Sequence, residues 1–148
     1  MIVAGVGFRR GVEAREIVAI VAQALERAAL PPAALDGLAT AEPLADVPAF
    51  VSAADRLSVR TIAVPSADLE GAAERVRTRS ARALAAYGVG SVAEAAALAA
   101  AGPGAMLLLE RITSPRATCA LAQGADAGEQ ASPDATQAAD AGGRESES

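Results

Sequence analysis

The sequence predicts an α/β domain of three layers, α/β/α, with a mixed sheet of about five strands. Short runs rich in valine, isoleucine and leucine alternate along the chain with segments whose apolar residues recur at helical spacing, which is typical of a sheet covered by helices. The last two apolar runs are separated only by Thr113-Ser114-Pro115. So short a connection favours an antiparallel hairpin, and the sheet is therefore predicted to be mixed.

The first half of the chain predicts three strands and two helices. Prolines mark two of the boundaries, because Pro31-Pro32 ends the first helix and Pro65 ends the third strand. Asp46 is expected to cap the second helix, with Pro48 in its first turn. In order, the elements are a strand from Ile2, a helix over 12–30, a strand over 35–40, a helix over 47–54 and a strand over 59–64.

The second half predicts further helices and the closing hairpin. Ser91-Val92-Ala93-Glu94 has the pattern of a capping box, in which Ser91 caps the helix and the Glu94 side chain bonds back to it. Gly102-Pro103-Gly104 ends that helix. In order, the elements are one helical turn over 66–69 capped by Ser66, a helix over 79–87 ended by Gly88, a helix from Ser91 to Ala101, and strands over 105–112 and 116–122.

Charge divides the chain into a domain over residues 1–123 and a tail over 124–148. The domain carries 12 arginines and 12 acids, whereas the tail carries six acids and one arginine and so accounts for the whole net charge of -5. The tail has almost no apolar residues larger than alanine and is predicted to be disordered and acidic. An acidic chain of this kind is not expected to bind nucleic acid.

Missing residue types exclude several classes of chemistry. The chain has no histidine, and Cys119 is its only cysteine, so Ser-His-Asp and Cys-His catalysis, an intramolecular disulfide and most transition-metal sites are excluded, and no metal site is predicted. Cys119 is expected to be a small buried apolar residue. Because no leader opens the chain and no apolar run approaches about 18 residues, we expect a cytoplasmic protein that does not bind a membrane.

The opening segment, Gly5-Val6-Gly7-Phe8-Arg9-Arg10-Gly11, is the strongest candidate site. A glycine-rich turn between a strand and a helix lets backbone amides approach a ligand, and two guanidiniums there would bind carboxylates or phosphates. The segment has neither the glycine spacing of a dinucleotide fingerprint nor a phosphate-loop lysine. The alternative is a tight turn with two solvated arginines.

Four motifs together resemble the CobE/CbiG C-terminal domain family of cobalamin biosynthesis, over roughly residues 1–122. They are the opening segment, Leu38-Ala39-Thr40, Ser91-Val92-Ala93-Glu94-Ala95-Ala96-Ala97-Leu98 and Thr118-Cys119-Ala120-Leu121-Ala122. The resemblance implies a three-layer α/β/α domain and a corrinoid ligand, with or without cobalt, and no other cofactor. Because this chain begins at the family motif, we expect the stand-alone, CobE-like form. Phe8 stands where the family often has cysteine, so a thiol mechanism there is not expected.

The resemblance leaves three functions open. The first is a carrier or accessory protein that binds a precorrin or a hydrogenobyrinic-acid-type intermediate. The second is a cobalt-precorrin 5A hydrolase-like enzyme that opens the ring lactone, in which Glu94 would be the catalytic acid or base unless it only caps its helix. The third is a scaffold for neighbouring enzymes of the pathway. The predicted ligand-binding residues are Gly5, Gly7, Phe8, Arg9, Arg10, Gly11, Thr40, Ser80, Ser91 and Glu94.

Overall fold

Five strands form one mixed sheet in the computed structural model, which describes residues 1–87 and 89–125. The order across the sheet is β3-β2-β1-β5-β4. The predicted helix stop at Gly88 and nearly all of the predicted acidic tail lie outside the described residues. The strands are β1 (Ile2–Phe8), β2 (Gly37–Ala41), β3 (Arg60–Val64), β4 (Met106–Thr113) and β5 (Ala117–Gln123).

Helices cover both faces of the sheet, so the fold class predicted from the sequence is confirmed. Helices α1 and α2 pack with one buried apolar cluster, and α3 and α5 pack with the other. No helix within the described ranges is long and apolar enough to cross a bilayer. The helices are α1 (Ala14–Arg27), α2 (Pro48–Leu57), α3 (Ser66–Gly71), α4 (Ala81–Tyr87) and α5 (Val92–Ala101).

Strand β1 lies at the centre of the sheet, with a parallel neighbour on one side and an antiparallel neighbour on the other. It runs parallel to β2, which in turn runs parallel to β3, and it pairs along its whole length with antiparallel β5, from Ile2 opposite Gln123 to Phe8 opposite Ala117. The hairpin of β4 and β5 is antiparallel, as predicted. Because helices cover both faces of β1, its residues from Val3 to Gly7 are all buried, which explains its nearly continuous apolar sequence.

Helix α5 lies unusually close to β1. It is built almost entirely of alanine, and residues 92–98 are all buried. Gly5 of β1 lies directly beneath it: a Cβ atom on Gly5 would overlap the carbonyl oxygen of Ala93 and lie 2.6 Å from the backbone nitrogen of Ala97. The alanines and the glycine therefore serve the same purpose, which is to let a helix backbone approach a strand backbone.

Several predicted helix ends need correction. Helix α1 begins two residues later than predicted, with Glu13 as N-cap and a capping box formed with Glu16. It ends at Arg27 because Ala29 already has left-handed backbone geometry, with a φ of 59°. The N-cap of α2 is Val47 and not Asp46, although Pro48 occupies the first helical position as predicted.

The predicted N-cap of α3 is wrong, whereas the predicted N-cap of α5 is confirmed. Ser66 is the first residue of α3 and does not cap it, since the N-cap is Pro65. Ser91 is the N-cap of α5, as predicted, and its hydroxyl accepts a hydrogen bond from the backbone of Glu94. The helix ends at Ala101, and Gly102, its C-cap, has a φ of 99°.

Candidate functional site

A cavity of about 640 Å³ opens at the carboxyl end of β1. The end of β1, the beginning of β5 and the end of β4 meet there because β5 runs antiparallel to both neighbours. Helix α4 and the first residue of α5 form the opposite wall. Its polar and charged lining residues are Arg9, Arg10, Ser80, Tyr87, Arg111, Thr113, Ser114, Arg116 and Thr118.

The cavity is strongly cationic. Four arginines line it, whereas none of the lining residues that the structure describes carries a carboxylate. Arg9 and Arg10 are exposed and, within residues 1–87 and 89–125, make neither an ion pair nor a side-chain hydrogen bond. The two predicted guanidiniums thus border a concavity with their charge uncompensated, and their contact with a ligand stays a prediction.

Arg116 completes the rim of the cavity and links it to helix α1. Its Nε donates to the Glu16 carboxylate at 3.1 Å, and its Nη1 donates to the carbonyl oxygen of Gly11 at 3.3 Å. This pairing holds the guanidinium beside the turn that carries Arg9 and Arg10. Arg116 is separated from that turn by about a hundred residues in sequence, so nothing in the sequence marked it.

Arg111 is the second arginine that the sequence did not reveal. It lies on the edge strand β4, is partly buried, and lines the cavity. Its Nε atom is buried and has no hydrogen-bond partner among the residues that the structure describes. A buried N–H of a cationic group normally has an acceptor, so this atom is a candidate donor to a bound anion.

An apolar surface adjoins the arginines. Phe8 is partly buried and stacks on Phe50 of α2, with ring centroids 6.0 Å apart. Val92 at the beginning of α5, Leu44 and Tyr87 pack with the apolar cluster on the other face of the sheet and also line the cavity. Apolar side chains beside cations suit a ligand that has a flat apolar body and a charged edge.

The glycine-rich segment does not form the turn that was predicted. Gly5 and Gly7 belong to strand β1, and the turn is formed by residues 9–11, where the amide of Val12 donates to the carbonyl oxygen of Arg9 at 3.1 Å. Gly5 lies beneath α5 and does not line the cavity. Gly7 does line it, and Gly11 has a φ of 88°, which favours glycine in the turn.

The three predicted hydroxyl residues are separated in the structure. Thr40 is fully buried, and its hydroxyl donates to the carbonyl oxygen of Val6 at 2.8 Å, a bond that stabilises the sheet. Ser91 is fully buried as the cap of α5. Ser80 alone of the three lines the cavity. The prediction that Thr40 and Ser91 contact a ligand is therefore not supported by their positions.

Glu94 is fully buried, and its side chain does not make the capping bond that was predicted. Its carboxylate does not bond back to Ser91. It accepts hydrogen bonds from the backbone amides of Arg77, Thr78 and Arg111, at 2.5, 3.1 and 2.9 Å, and from the Thr78 hydroxyl at 3.0 Å. With its lone pairs occupied and no surface exposed, this carboxylate is not placed to act on a ligand in the cavity.

Cys119 is fully buried in the cluster on the α1 side of the sheet, as expected for a small apolar residue. Burial raises the pKa of its thiol well above the ordinary value. The unfolded chain ionises this thiol above about pH 8.5 while the folded protein keeps it neutral, so stability falls as the pH rises.

Between about pH 8 and about pH 10 we expect the free energy of unfolding of the wild-type protein, measured in urea, to fall by roughly 2 kcal/mol. Cys119→Ala should not show this loss. An equal loss in the variant would contradict this.

Fold and cavity together define a three-layer α/β/α domain with an arginine-lined site at one end of its sheet. The family model described as "Cobalamin synthesis G C-terminus" matches residues 2–122. The chain belongs to this family and is a CobE/CbiG-like protein of cobalamin biosynthesis, which confirms the resemblance found in the sequence. Protein CobE of a Sinorhizobium species is 36% identical over 121 residues, which cover 82% of this chain and 79% of that protein.

Solved structures give the same result. The crystal structure of CobE, a protein from the cobalamin (vitamin B12) biosynthetic pathway, matches with a TM-score of 0.78 at 36% identity, covering 82% of this chain and 89% of the other. Cobalamin biosynthesis protein chiG of Agrobacterium tumefaciens matches with a TM-score of 0.67 at 33% identity, over 85% of this chain and all of the other. A cobalamin biosynthesis protein G homolog of Sulfolobus solfataricus matches with a TM-score of 0.60 at 26% identity. The match covers 82% of this chain but only 36% of the homolog.

Proposed function

We propose that the chain binds a carboxylate-rich corrinoid intermediate in the cavity at the end of β1 and acts as a carrier or accessory protein of the pathway. The observation that carries this proposal is the set of four arginines around a cavity whose described lining residues include no carboxylate. Arg116 is paired with Glu16, but Arg9, Arg10 and Arg111 have no ion-pair partner among the described residues. Like charges gathered without counterions are unfavourable in a free protein. Such an arrangement is explained when a polyanion occupies the site.

The chemistry of a corrinoid suits this lining. Its macrocycle is flat and apolar, and its edge carries acetate and propionate groups. Guanidiniums bind carboxylates with paired hydrogen bonds, and Phe8 and Val92 offer an apolar wall to the ring. The volume of about 640 Å³ falls in the range of roughly 300–1,000 Å³ typical of small-molecule sites. We propose that cobalt is not required for this recognition, because the arginines address the carboxylates.

The lining favours binding over hydrolysis. An enzyme that opens a lactone with its own side chains needs a base to activate water, yet none of the described lining residues carries a carboxylate or a thiol, and the chain contains no histidine. Such an enzyme would have to rely on a metal bound to its substrate. Glu94, the predicted catalytic acid or base, is fully buried and accepts four hydrogen bonds. A carrier must hand its ligand on, so we propose other cobalamin-pathway enzymes as its partners, in the cytoplasm.

Titration of the purified protein with hydrogenobyrinic acid tests the proposal. We expect saturable shifts of the visible absorption bands and an apparent affinity that falls about tenfold or more when the salt concentration is raised from low to near-molar, since salt screens the exposed guanidiniums. Incubation of the complex followed by mass spectrometry should return the ligand unchanged. Absence of saturable binding would refute the proposal, and a change of ligand mass would favour the hydrolase instead.

A further inference from the structure

Strand β4 is irregular where it passes the cavity. Leu109 pairs with Leu121 and Ile112 pairs with Cys119, so three steps along β4 match only two along β5. An extra residue of this kind is a β-bulge, which takes a backbone group out of the sheet's hydrogen bonding and turns a side chain in a new direction. The irregular stretch contains Arg111, which lines the cavity.

The buried carboxylate of Glu94 binds the backbone amide of this bulge. Arg111 donates its backbone N–H to Oε2 of Glu94 at 2.9 Å. The same carboxylate accepts the amides of Arg77 and Thr78 through Oε1. One side chain on α5 therefore joins an edge strand to a segment that has no regular secondary structure of its own.

Both joined segments continue into the walls of the cavity. On one side the attached residue is Arg111 itself, whose buried Nε has no partner among the described residues. On the other side the attached residues precede Ser80, which lines the cavity and begins the α4 wall. Gly90 lets this segment lie close to the loop before α5, because a Cβ atom there would lie 2.7 Å from the carbonyl oxygen of Thr78.

We infer that Glu94 is a positioning residue of the ligand site: by binding the amide of the β4 bulge, it fixes where Arg111 presents its guanidinium to the ligand. This inference rests on the proposed function and deepens it. Glu94 does not touch the ligand and acts only through Arg111. The negative charge of Glu94 lies on the backbone side of the bulge and leaves the guanidinium free to pair with an anion.

Glu94→Gln is the decisive variant, because glutamine keeps the shape but replaces one acceptor oxygen by an NH₂ donor. The glutamine oxygen can still accept the hydrogen bonds from the amides of Arg77 and Thr78. The NH₂ group donates to the Thr78 hydroxyl, which becomes an acceptor instead of a donor. Only the Arg111 amide then faces a donor and loses its partner. We therefore expect faster hydrogen exchange at Arg111, nearly unchanged exchange at 77–78, and about tenfold weaker binding of hydrogenobyrinic acid.

A double-mutant cycle with Arg111→Gln separates positioning from general destabilisation. If Glu94 acts through Arg111, adding Glu94→Gln to Arg111→Gln costs no further affinity. Leu25→Ala, a core truncation on the other face of the sheet, should lower the thermal midpoint at least as much as Glu94→Gln and leave the affinity unchanged. If Glu94→Gln does not fold, Glu94→Asp, which keeps the charge and shortens the side chain, enters the same cycle.

The outcomes distinguish this inference from the proposed function. Additive losses of affinity in the cycle, or unchanged exchange at Arg111, would overturn the positioning role while wild-type binding stands. Failure of the wild-type protein to bind hydrogenobyrinic acid would overturn the proposed function, and the positioning role with it.

Discussion

Gly5→Ala is expected to destabilise the folded protein by about 3 kcal/mol, although it adds a single methyl group. The new Cβ would overlap the carbonyl oxygen of Ala93 and lie 2.6 Å from the nitrogen of Ala97, both of which are backbone atoms of α5. Backbone cannot rotate away as a flexible side chain can. Gly5 cannot retreat either, because it pairs with Ala39 of β2 and with Ala120 of β5. The whole helix must move, at the expense of its packing on the sheet.

Thermal or urea unfolding measures this effect, with a midpoint lowered by roughly 10 °C for a domain of this size. Gly71→Ala is the matched control, since Gly71 ends helix α3, has no atom within 4 Å of an added Cβ, and does not have a positive φ. That substitution should be neutral or stabilising by up to about 0.5–1 kcal/mol. A Gly5→Ala protein as stable as the control would show that α5 does not lie on β1 as described.

Gly5 also illustrates how far sequence reasoning reaches. A glycine can serve a turn, a ligand or a close contact between backbones, and the local sequence does not distinguish these uses. The residues from Gly5 to Gly11 predict a ligand-binding turn, yet the structure assigns Gly5 to helix packing and only residues 9–11 to the turn. The distinguishing partner is Ala93, which lies far away in sequence.

Periodic patterns, in contrast, predicted the elements well. The apolar residues of α1 recur at Ile17, Ile20, Val21 and Ala24, all of them buried, and the short link before β5 correctly predicted an antiparallel hairpin. These features depend on neighbours in sequence. The strand order, with β1 between β2 and β5, depends on contacts between distant segments and was not predicted.

The site was only half predictable for the same reason. Arg9 and Arg10 could be identified because glycines flank them beside a strand end. Arg111 and Arg116 join them only through the return of the β4–β5 hairpin to β1, and neither lies in a recognisable motif. Glu94 does lie in a motif, but its capping pattern predicts a local bond, whereas tertiary contacts take its carboxylate to Arg77, Thr78 and Arg111.

Replacement of both Arg9 and Arg10 by glutamine is expected to weaken binding of hydrogenobyrinic acid about 30-fold, or about 2 kcal/mol. Both side chains are exposed, so each contact with a ligand carboxylate is worth less than a buried charged hydrogen bond. The salt dependence of binding should also become shallower, because fewer guanidiniums are screened. Stability should change little, since within the described residues neither side chain makes an ion pair or a hydrogen bond.

Arg27→Gln with Arg56→Gln is the control for net charge. These arginines are exposed at the ends of α1 and α2 and do not line the cavity, so the control removes the same two charges from another part of the surface. If long-range attraction alone draws the ligand to the protein, both double variants should lose affinity equally. If direct pairing at the end of β1 holds the ligand, only the variant at Arg9 and Arg10 should lose affinity. Equal losses would show that Arg9 and Arg10 do not contact the ligand.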